Sequence, residues 1–118
     1  MGINQPFRRD KFYRDRDSYA EWWTIGCSAC AQKVLLYQKD GHGKLYRCYL
    51  NRIFAPSDYA NLQYDSRLTV KKLPNLVCAH CKNLLGIPML HWEGRLAFRL
   101  IKGRWVRRKA QQSDEWKI

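Results

Sequence analysis

Two C-x-x-C turns constrain this chain more than anything else in it: Cys27-Ser28-Ala29-Cys30 and Cys78-Ala79-His80-Cys81, with the forty-seven residues 31 to 77 between them. A two-residue spacer lets one tight turn aim both sulfurs at a single ion, and two such turns supply a tetrahedral set of four thiolates. The spacing therefore predicts one structural Zn²⁺ held by Cys27, Cys30, Cys78 and Cys81, the segment between them being a loop closed by metal. Zn²⁺ has no redox chemistry, and four protein ligands leave no position for water or substrate, so such an ion holds structure and does not catalyse. Redox motifs, disulfides and plain buried thiols are the competing uses. A redox C-x-x-C belongs at a helix start in a strand-helix-strand unit, whereas these pairs enter from Thr24-Ile25-Gly26 and Leu76-Val77, both apolar. A disulfide framework goes with export. The N-terminus offers Arg8, Arg9 and Lys11 with no apolar run behind them, and no segment approaches the roughly twenty apolar residues of a membrane-spanning helix. The expectation is a soluble, cytoplasmic protein.

At 118 residues and 14.1 kDa the chain makes one domain with a modest core, to whose stability a metal matters greatly. Lys and Arg number 22 against 10 Asp and Glu, a net charge of +12 that favours a polyanionic partner; a merely solvated surface or a patch facing an acidic protein is the alternative, and an anionic membrane surface comes third. Arg95, Arg99, Lys102, Arg104, Arg107, Arg108 and Lys109 fall in one stretch without an acid, which makes it the expected electrostatic footprint together with Trp105. Residues 1–17 read as an extended N-terminal arm in which Phe7, Phe12 and Tyr13 interleave with Arg8, Arg9, Lys11 and Arg14, a mixture suited to stacking and phosphate contact and equally to pinning the arm on its own domain.

Residues 18–109 read as the β domain and 110–118 as a frayed tail. Ser18-Tyr19-Ala20-Glu21 has the form of a capping box, predicting a helical turn that carries Trp22 and Trp23 and ends at Gly26. Lys33 to Tyr37 and Lys44 to Ile53 flank a turn at Asp40-Gly41-His42-Gly43, predicting a hairpin. Residues 54–66 read as a surface loop with one helical turn from Ser57, and Leu76-Val77 as an approach to the second cysteine pair. Leu84 to Trp92, Arg95 to Ile101 and Arg104 to Lys109, separated by Glu93-Gly94 and Lys102-Gly103, predict a three-stranded meander in which Leu96, Phe98 and Leu100 share one face. The fold class is mainly β, a small antiparallel zinc-ribbon or β-tent domain with short helices.

Cys48, between Arg47 and Tyr49, is the one candidate nucleophile, and its ordinary reading is a buried strand cysteine with no general base beside it. His42, His80 and His91 are not needed as ligands. No phosphate-binding glycine loop, serine-hydrolase elbow or H-E-x-x-H metalloprotease motif occurs, which disfavours an enzyme. Five tryptophans exceed the needs of a small core, and Trp22, Trp23, Trp92 and Trp105 read first as packing around the metal, with a ring-lined pocket or stacking platform as the functional alternative.

Cys78-Ala79-His80-Cys81-Lys82-Asn83-Leu84-Leu85-Gly86 resembles the C-x-x-C-x-x-x-L-G element of the β-tent families: Yippee-like proteins, the cereblon ligand-binding domain and methionine-R-sulfoxide reductase B. The chain also looks like small prokaryotic zinc-ribbon proteins through Gly43-Lys44-Leu45-x-Arg47-x-Tyr49-Leu50-x-Arg52-Ile53. The resemblance implies two sheets joined at a Zn(Cys)4 site. The reductase's catalytic cysteine follows its second zinc pair, and no cysteine follows Cys81, so that activity is not implied. The expected functions are a nucleic-acid-binding module within a larger assembly, RNA ahead of DNA, or an adaptor docking on an acidic protein surface; a Cys48-dependent enzyme comes third.

Overall fold

The computed structural model describes residues 6–110 and Trp116. Helix α1 (Lys11–Asp15) is capped by Asp10, whose carboxylate accepts from the Tyr13 N–H at 3.1 Å. Strands β1 (Ala20–Cys27), β2 (Lys33–Asp40), β3 (Arg47–Tyr49) and β4 (Ile53–Ala55) follow, a 3-10 turn at Leu50–Arg52 separating the last two. Helix α2 (Ser57–Ala60) starts at the serine expected from the sequence and runs into a second 3-10 turn, Asn61–Tyr64. The chain closes with β5 (Leu76–Val77), β6 (Leu84–Leu90), β7 (Leu96–Leu100) and β8 (Trp105–Lys109). The mainly β expectation holds: two four-stranded antiparallel sheets form, ordered β4-β2-β1-β8 and β3-β7-β6-β5.

Most strands lie where the patterning put them, but one expected helical turn is a strand and two expected pairings differ. No helical turn forms at Ser18: Asp17 and Ser18 have positive φ (65° and 50°), whereas an N-cap residue needs extended backbone. Trp22 and Trp23 therefore alternate on β1. Trp22 packs on Phe7 and Phe54 at 5.0 and 4.9 Å, while Trp23 lies against the main core with Arg107 over its ring at 4.5 Å, and only a strand period serves both. The hairpin expected of β2 and its successor is replaced by a change of sheet. β3 pairs with β7 through Cys48↔Phe98, whereas β2 pairs with β4 through Leu36↔Ala55 and Tyr37↔Ile53. At that corner Arg52, 1% exposed, binds Asp40 and Asp10, charge pairing that a flat hairpin would leave in water. The meander breaks in the same way. β6 and β7 form a hairpin, but beyond Gly103 (φ +85°) β8 joins the other sheet along β1, from Cys27↔Trp105 to Trp23↔Lys109.

The N-terminal segment is not wholly extended, since it contains α1, and of its two expected uses the structure shows docking on its own domain, across both sheets. The Arg8 N–H and carbonyl bond to the Gln38 amide at 2.7 and 2.9 Å, its guanidinium reaches the Asn51 carbonyl at 2.6 Å, and Arg16 pairs with Glu93 at 3.1 Å. Between the sheets lies the main core, with Ile25, Leu35, Tyr37, Ile53, Leu76, Leu85 and Phe98 all at 2% exposure or less. Gly86 is required there, since a Cβ would meet the Arg99 carbonyl oxygen at 3.1 Å and the Phe98 Cβ at 3.3 Å; this is the physical content of the Leu85-Gly86 element. Most of the tail expected to fray lies outside the described residues, and its Trp116 is buried against Leu36 and Ala55.

Candidate metal centre

The four cysteines come from both sheets. Cys27 ends β1 and Cys30 precedes β2, while Cys78 follows β5 and Cys81 precedes β6. Their sulfurs all lie within 4.8 Å of one another, with Cys27 to Cys81 at 3.6 Å and Cys30 to Cys78 at 3.5 Å. Four sulfurs at about 2.3 Å from one tetrahedral ion stand roughly 3.8 Å apart, so the cluster fits a single ion. All five cysteines are free thiols. Such a closed set has no coordination position left for substrate, which is the chemistry of a structural centre.

Each turn is built the same way. Ala31 N–H donates to the Cys27 carbonyl at 2.9 Å and Cys27 N–H to the Gln32 carbonyl at 2.9 Å; Lys82 N–H donates to the Cys78 carbonyl at 2.8 Å and Cys78 N–H to the Asn83 carbonyl at 2.9 Å. Ala31 and Lys82 share the left-handed conformation that closes the turn, with φ 65° and 66°. Asn83 then spans the centre, its amide donating to Cys27 Sγ at 3.3 Å and to the Arg104 carbonyl at 3.0 Å, while its own oxygen accepts from the Arg104 guanidinium at 3.0 Å. Ser28 binds the β7–β8 turn through its N–H to Arg104 and its hydroxyl to the Gly103 carbonyl. Burial opposes ionisation of Cys27, yet the Asn83 amide and the N–H groups of its turn outweigh it and bring the thiol down to about 6. For Cys30 the Gln32 backbone favours the thiolate, but burial and the neighbouring sulfurs prevail and the thiol is pushed up to about 12. Within the cluster the first charge forms at Cys27, while Cys30 and Cys81 resist a second until a cation compensates them.

The residues expected at a partner surface divide. Arg99, Lys102, Arg104, Arg107, Arg108 and Lys109 are exposed, and Trp105 is half-buried against the core. Arg99 stands on the sheet of β3 and the others on or beside β8, so they do not form the single strip that one meander would give. Arg95 leaves the surface altogether. It is 7% exposed, its guanidinium lies between Phe12 and Tyr49 at 3.9 and 3.6 Å from the ring centroids, and it donates to Asn51 at 2.8 Å. Of the N-terminal cations, Arg8 is tied into the fold, Arg9 and Arg14 are exposed, and exposed Lys11 pairs with Asp15 at 3.1 Å. Nor do the tryptophans gather at the cysteine cluster: Trp105 lies opposite Cys27, but Trp92 is 87% exposed at the β6–β7 turn. Cys48 is wholly buried opposite Phe98, and burial pushes its thiol far up, so no accessible thiolate stands there. Sequence reasoning missed Asn83, signalled only by its place two residues after Cys81, and the corner residues Asp10, Asp40 and Arg52, for which no local signal exists. No family model, no curated protein and no solved structure matches the chain.

Proposed function

We propose that Cys27, Cys30, Cys78 and Cys81 hold one structural Zn²⁺ in a β-tent-like domain, and that the domain binds nucleic acid within a larger assembly. Four thiolates in one closed cluster are the chemistry that selects Zn²⁺ over harder cations. The observation that carries the binding reading is the edge strand β8, which exposes Arg107, Arg108 and Lys109 beside Lys102 and Arg104, with no acid between residues 95 and 109. Such a surface neutralises phosphates without reading bases, so the affinity is led by counterion release. RNA stands ahead of DNA because its loops, bulges and ends are the usual source of unpaired bases for exposed rings to stack on.

Titration of labelled RNA across a salt series tests this: log K falls linearly with log salt, and neutralising Arg107 and Arg108 together lowers the slope by about 1 to 2. Binding that ignores salt, or a slope unmoved by the pair, overturns it. Leu90 and Trp92, 58% and 87% exposed at the β6–β7 hairpin, favour the second reading, an adaptor meeting an acidic protein. In that case a captured partner survives nuclease and is lost from Trp92→Ala.

A further inference from the structure

The connection between β2 and β3 borders two cavities that share Lys44, Leu45 and Tyr46. The larger, about 510 Å³, lies where this connection meets the β7–β8 turn, and Leu100, Lys102, Gly103 and Trp105 complete its wall. Its volume falls within the roughly 300–1,000 Å³ of small-ligand sites, and its lining holds two lysines, two aromatic rings and no carboxylate. Tyr46 is 61% exposed although its carbonyl is fixed by the Leu100 N–H at 3.0 Å, so a pinned backbone presents a ring to solvent.

The smaller cavity, about 90 Å³, is lined by Arg16, Lys39, Lys44, Arg47 and Arg52 against one carboxylate, Asp40. Arg52 is engaged by Asp10 and Asp40, and Arg16 by Glu93. Lys39, 8% exposed, donates to the Asp40 and Gly41 carbonyls at 2.9 and 3.4 Å. Arg47 donates to the Tyr49 hydroxyl at 3.4 Å and stands directly opposite Arg99 in the β3–β7 register. Cations held in this way against neutral oxygens and a like charge are stabilised by an anion.

The geometry points to a seat for one nucleotide of a single-stranded nucleic acid, its base against the Tyr46 and Trp105 rings and its phosphate with Lys44, Lys39 and Arg47. Single strands expose the base faces that a duplex hides, and stacking on an aromatic ring is indifferent to sequence. This rests on the polyanion reading above and narrows it from a charged surface to a place.

Fluorescence anisotropy on the full, metal-bound chain tests the seat with three probes at one salt concentration: a short oligouridine, duplex RNA of equal length, and heparin. Oligouridine binds more tightly than the duplex. Tyr46→Ala weakens oligouridine binding roughly tenfold and duplex binding less than about twofold, whereas Tyr46→Phe, which keeps the ring, retains wild-type affinity. Circular dichroism and metal content confirm that the exposed-site variants stay folded. Equal loss on both nucleic acids, no loss on oligouridine, or a Phe variant as weak as Ala overturns the seat. A wild-type protein that binds duplex and heparin as tightly as oligouridine also removes it while leaving the charged-surface reading intact. No binding to either nucleic acid removes both.

Discussion

Arg52 carries its charge at 1% exposure because two carboxylates reach it, Asp40 at 2.7 Å and Asp10 at 2.5 Å, Asp40 itself being 5% exposed. Removing one partner of a buried ion pair leaves the other uncompensated, so Arg52→Met lowers stability by about 3–5 kcal/mol in urea unfolding. The same contacts predict acid sensitivity. Burial opposes the charge on Asp10, but hydrogen bonds from Arg52 and the Tyr13 N–H outweigh it and hold the carboxyl below its usual 3.8; Glu93, also against burial, is held below 4.5 by Arg16. A carboxylate whose pKa is lower in the folded state contributes stability that is complete above its unfolded value and lost as pH falls through the folded one. Stability therefore declines as pH drops below about 4.5, and Asp10→Asn, less stable at neutral pH, shows a shallower decline. Of these residues the sequence indicated none, since positions 10, 40 and 52 meet only through the fold. Arg95 is the converse case: a cation that charge counting put at the surface is enclosed by Phe12 and Tyr49, and ring partners forty-six or more residues away leave no local pattern.

The two cysteine turns were legible because each closes within six residues, 27 to 32 and 78 to 83, through hydrogen bonds between near neighbours. Asn83 links them, donating to Cys27 Sγ while Arg104 holds its other end. An outer-shell donor of this kind orients a ligand and stabilises its thiolate, so Asn83→Ala weakens metal binding about 10- to 100-fold in competition with a chromophoric chelator, leaving one ion per chain at saturation. Strand positions other than β1 were legible from alternation and composition, as on β7, where Phe98 and Leu100 are buried and Arg99 between them is exposed. Pairing was not. The turns before β3 and after β7 have hairpin composition, but Tyr46 and Leu100 hand the chain to opposite sheets, and turn chemistry specifies a bend without specifying which edge receives the next strand.

Across the whole molecule the chain changes sheet four times, after β2, β3, β4 and β7, and the cysteine cluster joins the two sheets at one place. For a core of this size, binding energy at a structural metal site is folding energy. Chelation therefore collapses the near-ultraviolet dichroism of the tryptophans in one cooperative transition, and Cys27→Ser or Cys78→Ser reproduces it without chelator; a metal-free chain that keeps its native spectrum would sink this expectation. By itself the sequence determined the four-cysteine cluster, most of the strand positions and the excess of positive charge, since these depend on short spacings and composition. The tertiary structure alone decided which strands pair, which cations stay in water and which are enclosed, and that Lys44, Tyr46, Lys102 and Trp105 line one cavity. The reason is physical: long-range pairing is set by which buried charges find partners and which apolar faces meet, and those encounters exist only once the chain has closed on itself.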